Sequence, residues 1–456
     1  MLNMNFLGVN HAMDEREKRL RKLKRRRRRK IKRLIRRIIR FGILLLLFIL
    51  LITGIVWVTK LLDKNEKESQ KVDIELPQIE IEKEELQTAS ILSAGDVIMH
   101  APFITSSLYK QADGSYQYDS IFKFVKDDYL DADYTIVNLE STITDDNYSG
   151  FPLLHAPEGI AASLKSQGVD MCLLANNHIY DDKDDGLFST MEYMEKYDLS
   201  YTGTRKAEEE NTYIIQDING IKVGIFNYTF ESSRSNGQIY LNSLCVSDSS
   251  TNLINTFNYD YLDEFYQKIE KGLSEMEQEG VEYTIAYIHW GTEYELTENN
   301  WQHQIATKLC ELGINALIGG HPHVVQPIDV LVNEEKNQKM LCLYSIGNHL
   351  SNQRRERISP LPTGHTEDGL MVKLFLEKDS AGNVLLTDVE FIPTFVHHTQ
   401  ENGDDEYYIL PLNDIDHLLE DAGELDIESE IMDSLERTTE IIEDGVKTVQ
   451  SYLPLS

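Results

Sequence analysis

Eight apolar runs of strand length lie between residues 90 and 376: SILSAG, YTIVN, VDMCLLAN, KVGIFNY, YTIAYIH, NALIGG, MLCLYSIGN and GLMVKLFL. Amphipathic stretches separate most of them. Residues 187–197 (LFSTMEYMEKY) and 301–312 (WQHQIATKLCEL) place apolar groups at three- and four-residue intervals, the helical period. Strands this apolar are buried on both faces. Their alternation with helices predicts a layered α/β domain. A core of about 300 residues can bury a large apolar interior.

The polar residues that end these runs carry the chemistry. In open α/β sheets ligands gather outside the C-terminal strand ends. There the chain places Asp96 (GDVIMH), Asn138 and Glu140 (NLE), Asn177 and His178 (ANNH), His289 and Glu293 (IHWGTEY), His321 and His323 (GGHPH), and Asn348 and His349 (YSIGNH). Two imidazoles two residues apart, on a loop opened by two glycines, can face one small object. Oxygen donors combined with several imidazoles suit Mn, Fe or Zn better than Ca or Mg. Taken singly, Asp96 would read as a helix N-cap and Trp290 and Trp301 as core aromatics. His155, His303, His365, His397, His398 and His417 lack the strand-end setting and read as surface or structural histidines. The four cysteines show no paired spacing and read mostly as small core residues.

Charge divides the chain. Residues 1–40 hold 17 Lys/Arg against three Asp/Glu, and the remainder holds 27 against 73. Between the basic block and the acidic bulk, residues 41–59 (FGILLLLFILLITGIVWVT) carry no charge. At about 1.5 Å per residue they span roughly 28 Å, the thickness of a bilayer core. No small-x-small cleavage site follows, so an uncleaved anchor is expected. The positive-inside rule puts residues 1–40 in the cytoplasm and the acidic domain outside. The basic run beside a span reads as a topology signal that attracts anionic lipid, and no nucleic-acid partner is expected. Residues 60–89 read as an acidic stalk. A domain over 90–396 and an acidic, partly helical extension over 397–456 complete the expected organisation.

The ordered set GDVIMH, DYTIVNLE, LANNHIYD with DGLFSTMEYM, HWGTEY, GGHPHVVQP and YSIGNH resembles the CapA family over roughly residues 90–352. These are poly-γ-glutamate capsule biosynthesis proteins with a domain similar to the calcineurin-like metallophosphoesterases. The resemblance implies a layered metallophosphatase-like β-sandwich flanked by helices. It implies one or two divalent transition ions (Mn, Fe or Zn) held by Asp96, Glu140, Asn177, His289, His321 and His323. It casts His178 as the residue that meets the leaving group, and Asn138, Glu293, Asn348 and Arg354 are expected at the substrate. Ile98 stands where the wider pattern has a histidine, with His100 two residues on. Asn-Leu-Glu replaces a Gly-Asp signature. Lys183 and His349 stand where glycine and phenylalanine are frequent.

The function this implies is a single-pass, membrane-anchored protein acting in synthesis, export or attachment of an anionic capsular polymer. Its expected partners are the membrane and the polymer or its synthase subunits. Two alternatives stay open: an extracytoplasmic metallophosphoesterase on nucleotides or lipid-linked phosphates, and a non-catalytic scaffold. The acidic domain itself repels an anionic polymer.

Overall fold

A computed structural model describes residues 86–336, 338–423 and 427–455. The basic segment, the expected span at 41–59 and the stalk up to residue 85 lie outside the described residues. Among the described residues no helix is long and apolar enough to cross a membrane.

The fold is mixed α/β, built on two large sheets with helices outside them. The first sheet runs in the order Asp404–Pro411, Val384–Glu401, Asp368–Lys378, Gln87–Val97, Tyr134–Leu139, Met171–Leu173, Ser200–Thr202. The short strand Asn348–Leu350 pairs with the end of Gln87–Val97. The second runs Thr256–Phe257, Ile221–Phe230, Tyr283–His289, Ala316–Gly320, Gln338–Leu343, Ile328–Asn333, with Tyr213–Ile218 beside Ile221–Phe230. One buried cluster joins the facing surfaces. It combines Ile91, Ile136 and Met171 of the first sheet with Val223, Ile285, Ile318 and Leu341 of the second. On the outer face of the first sheet, Leu92 and Val137 pack with Ile160 and Leu164 of helix Gly159–Gln167 and Met191 of helix Lys183–Lys196. Outside the second, Phe226 and Ala286 pack with Ile269 of helix Leu262–Gln278 and Ile305 of helix Asn300–Leu312. The strands are thus apolar on both faces, as their composition requires.

Sequence patterning and packing diverge at the C-terminal end. The boundary expected at residue 396 falls inside the strand Val384–Glu401, which pairs residue by residue with Asp404–Pro411. Residues 397–401 and 404–411 are therefore sheet, joined by a turn. Helix Glu428–Tyr452 turns an apolar stripe inward: Ile442 and Val449 enter the inter-sheet core, and Ile431 joins a smaller cluster with Phe395 and Leu410. Acidic residues on its other face masked this role. One minor reading also changes. Trp301 is 43% exposed, whereas Trp290 is fully buried. Cys245 is exposed, while Cys172, Cys310 and Cys342 are buried and free.

Register aligns the strand ends. Asp96 sits opposite Asn138 on one side and Asn348 on the other, and His289 sits opposite Gly320. Two glycines make the approach feasible. A Cβ on Gly95 would lie 2.0 Å from the Gly347 carbonyl oxygen, and one on Gly320 would lie 2.8 Å from Asp96 Oδ1.

Candidate metal centre

The C-terminal edges of both sheets deliver their polar residues to one buried place. Asp96 ends Gln87–Val97 and Glu140 follows Tyr134–Leu139. His289 ends Tyr283–His289, and His321 and His323 follow Ala316–Gly320. All five are buried. They form two overlapping three-donor groups, Glu140–His289–His321 and Asp96–Glu140–His323, each with its ligand atoms within 4.8 Å of one another. Asn177 joins them through Oδ1, 2.6 Å from His289 Nε2.

Local geometry holds this set under strain. His321 and His323 have φ of 92° and 58°, the left-handed region that β-carbon-bearing residues avoid. Such positions cost about 1–3 kcal/mol each and persist where surroundings over-determine them. Here the His321 amide donates to Asp96 Oδ2 at 3.1 Å. His323 Nδ1 lies 3.1 Å from Asn348 Oδ1, and Asn348 Nδ2 donates back to the His323 carbonyl at 3.3 Å. Asn138 Nδ2 donates to Asp96 Oδ1 at 2.7 Å.

The donors fit a cation. Glu140 is completely buried, yet neither carboxylate oxygen has a hydrogen-bond partner among the described residues. An ionised carboxylate in that state is costly unless a positive charge compensates it. His289 Nε2 lies 3.4 Å from Glu140 Oε1, and His323 Nδ1 lies 4.0 Å from Oε2 and 3.6 Å from Asp96 Oδ2. His321 Nδ1 is likewise buried without a partner. Burial, then the charges of His289 and His323, hold the His321 imidazole well below its usual pKa, so it is neutral and ready to ligate. Burial opposes charge on His323, but Glu140 and Asp96 outweigh it and raise the pKa to about 9. Burial alone would raise the Asp96 carboxyl; the neighbouring His323 imidazole and the charge of His289 bring it below the usual range. The two carboxylates thus draw positive charge, and six N and O donors of this kind suit Mn, Fe or Zn.

His178 stands beside this centre with a partner the sequence reading missed. Its Nδ1 donates to Asp181 Oδ2 at 2.6 Å, and the Leu154 amide donates to the same oxygen at 2.7 Å. Burial lowers the pKa of His178, but Asp181 and then Glu140 more than reverse this, and the net shift is upward. The available signal was the three-residue spacing of His178 and Asp181 in a turn. Asn176 was passed over too. It clamps the loop, donating to the Leu139 carbonyl at 2.8 Å and accepting from the His178 amide at 3.1 Å.

The other expected residues divide. Asn138 and Asn348 are buried and occupied in orienting Asp96 and His323. Glu293 is exposed, close enough for its charge to act on His323. Arg354 is buried, donates to the Val396 carbonyl at 2.8 Å and lies 3.6 Å from Glu367. Arg357 is exposed and has no salt-bridge partner among the described residues. Ile98 is core. His100 belongs to neither donor group, and its Nδ1 accepts from the Asn352 amide at 3.1 Å. His349 is turned away into the core against Phe122 and Tyr129.

The model of the family described as "Bacterial capsule synthesis protein PGA_cap" matches residues 90–353. The capsule biosynthesis protein CapA of Bacillus anthracis is 23% identical over 297 residues, covering 63% of this chain and 66% of the relative, just under two thirds of its length. The PGA biosynthesis protein CapA of Bacillus subtilis (strain 168) is 23% identical over 324 residues, covering 69% and 74%.

Proposed function

The chain belongs to the bacterial capsule synthesis protein family PGA_cap, and from that we propose that it serves the synthesis, export or attachment of an anionic poly-γ-glutamate-type capsular polymer through a metal-dependent, hydrolase-like site. The observation that carries the reading is Glu140. A fully buried carboxylate shared by two donor groups, with neither oxygen hydrogen-bonded among the described residues, calls for a cation.

In this reading Asp96, Glu140, Asn177, His289, His321 and His323 hold one or two Mn, Fe or Zn ions. A bound ion would supply Lewis acidity at a phosphoryl or carbonyl oxygen. His178 would hold a proton at Nε2, since Nδ1 is committed to Asp181, and pass it to a leaving oxygen. Glu293 and Arg357 stand on exposed ground where a substrate could meet them, and Arg357 offers an exposed positive charge to an anionic chain. The domain so described occupies residues 90–396 together with the strand and helices that follow. Residues 41–59 anchor it in the membrane, with residues 1–40 cytoplasmic and the acidic domain outside.

The test is His178→Ala in the full-length chain. It should retain folding and most bound metal, yet lose at least about a hundredfold in turnover, or the surface polymer in a complemented strain. Full complementation by His178→Ala and also by His323→Ala would leave only the scaffold reading.

A further inference from the structure

A small three-stranded sheet, separate from the two large ones, reaches the His178 side of the centre. It comprises Ser233–Ser235, Gln238–Leu241 and Leu244–Cys245. Leu241 pairs with Leu244, so Asn242 and Ser243 alone form its second turn. Both are left-handed, with φ of 45° and 65°. Asparagine tolerates that conformation.

The side chain of Asn242 points at the histidine–aspartate pair. Its Nδ2 donates to Asp181 Oδ1 at 3.0 Å and to the Pro152 carbonyl at 3.3 Å. Both partners are acceptors only, which fixes the nitrogen of the amide toward them. The same nitrogen comes within 3.3 Å of His178 Nδ1. That contact is an approach of two donors, because the His178 proton is already given to Asp181 Oδ2. Asp181 is thereby held at both oxygens: His178 and the Leu154 amide on Oδ2, Asn242 on Oδ1. A carboxylate fixed on both sides cannot rotate, and the imidazole it holds keeps one tautomer and one orientation.

We propose that Asn242 is a positioning residue, carried to the site by the small sheet, that acts on His178 through Asp181. The inference rests on the reading of His178 as the proton donor. It assigns the 233–245 segment a part in the reaction, since the segment must be seated on the centre for His178 to be aligned.

Asn242→Gly is the informative variant, because glycine accepts the left-handed backbone and only the amide is lost. The experiment compares Asn242→Gly, Asp181→Asn, the double variant, His178→Ala and the unaltered full-length protein. Each is loaded with Mn²⁺ and given bis(4-nitrophenyl) phosphate, with bound metal and urea midpoint measured in parallel. Where the unaltered protein does not cleave this ester, the surface polymer restored to a strain lacking the chain is scored instead. Asn242→Gly should keep metal and midpoint and lose roughly tenfold in turnover, in the range for a group that orients a functional residue. Asp181→Asn should lose more, and the double variant no more than Asp181→Asn alone. A merely structural part for the turn would give losses that multiply, and that result overturns the proposal. So does an Asn242→Gly protein that matches the unaltered one while His178→Ala is inactive, with the catalytic reading left standing. Undiminished function in His178→Ala removes both together.

Discussion

Asn177 Oδ1 and His289 Nε2 lie 2.6 Å apart, linking a loop of the first sheet to a strand end of the second. The donors on either side of that link come from both sheets, so an ion bound among them ties the layers together.

Metal should therefore stabilise the whole fold. A ligand that binds only the native state at a thousand times its Kd adds about 4 kcal/mol. Titrating Mn or Zn into chelator-treated protein should raise the melting temperature, and His321→Ala with His323→Ala should abolish both the rise and the bound metal. An unaltered protein that carries no metal and gains none on titration would sink the assignment.

Acid should weaken the fold through His349. Burial pushes its pKa down to about 3, and Tyr129 Oη is hydrogen-bonded to its Nε2. The unfolded chain takes up this proton near pH 6.5 and the native one does not. The contribution is complete above pH 6.5 and is lost as pH falls toward 3. By pH 4 the loss is on the order of 3 kcal/mol. His349→Phe, paired with Tyr129→Phe to avoid stranding the hydroxyl, should flatten the dependence of urea midpoint on pH between 6.5 and 4. An unchanged slope would remove His349 from the account.

Lys183 opens its helix at φ 56° with an exposed side chain. Lys183→Gly should relieve this, stabilising by about 1 kcal/mol. The urea midpoint at constant slope is the check, and a lower midpoint counts against strain there.

The two arginines should separate by stability. Arg354→Ala removes a buried guanidinium that donates to the Val396 carbonyl, and a loss of about 2 kcal/mol is expected. Arg357→Ala should stay within about 0.5 kcal/mol, as exposed substitutions do, while weakening retention of anionic polymer in a pull-down. The reverse ranking would favour the expected role of Arg354 at the substrate.

Protease added to intact protoplasts should remove the acidic domain and spare residues 1–40. A fully protected domain would overturn the orientation.

Much of this was legible because one rule links sequence to place: the residue that ends an apolar strand lies at the sheet edge. Asp96, Glu140, His289, His321 and His323 obey it. What the rule cannot give is side-chain direction within a loop. Arg354 and Arg357 share one loop and face opposite fates. Asn138 and Asn348 sit at strand ends but spend their amides on neighbours. Asn242 was illegible for another reason. It lies 64 residues from His178 in a segment with no apolar run to mark it. The boundary expected at 396 falls inside a strand because acidic composition was read as the end of packing, whereas the acidic run Asp404, Asp405 and Glu406 is half-buried in a strand paired with Val384–Glu401.

The pairing of Gln87–Val97 has a consequence for how the chain is made. This earliest described strand is interior to its sheet, with Tyr134–Leu139 on one side and Asp368–Lys378 on the other. At about 5–20 residues per second, its second neighbour emerges from the ribosome some 15–50 s after it. Until then an apolar strand edge beside the buried carboxylate and histidine cluster is open to other chains.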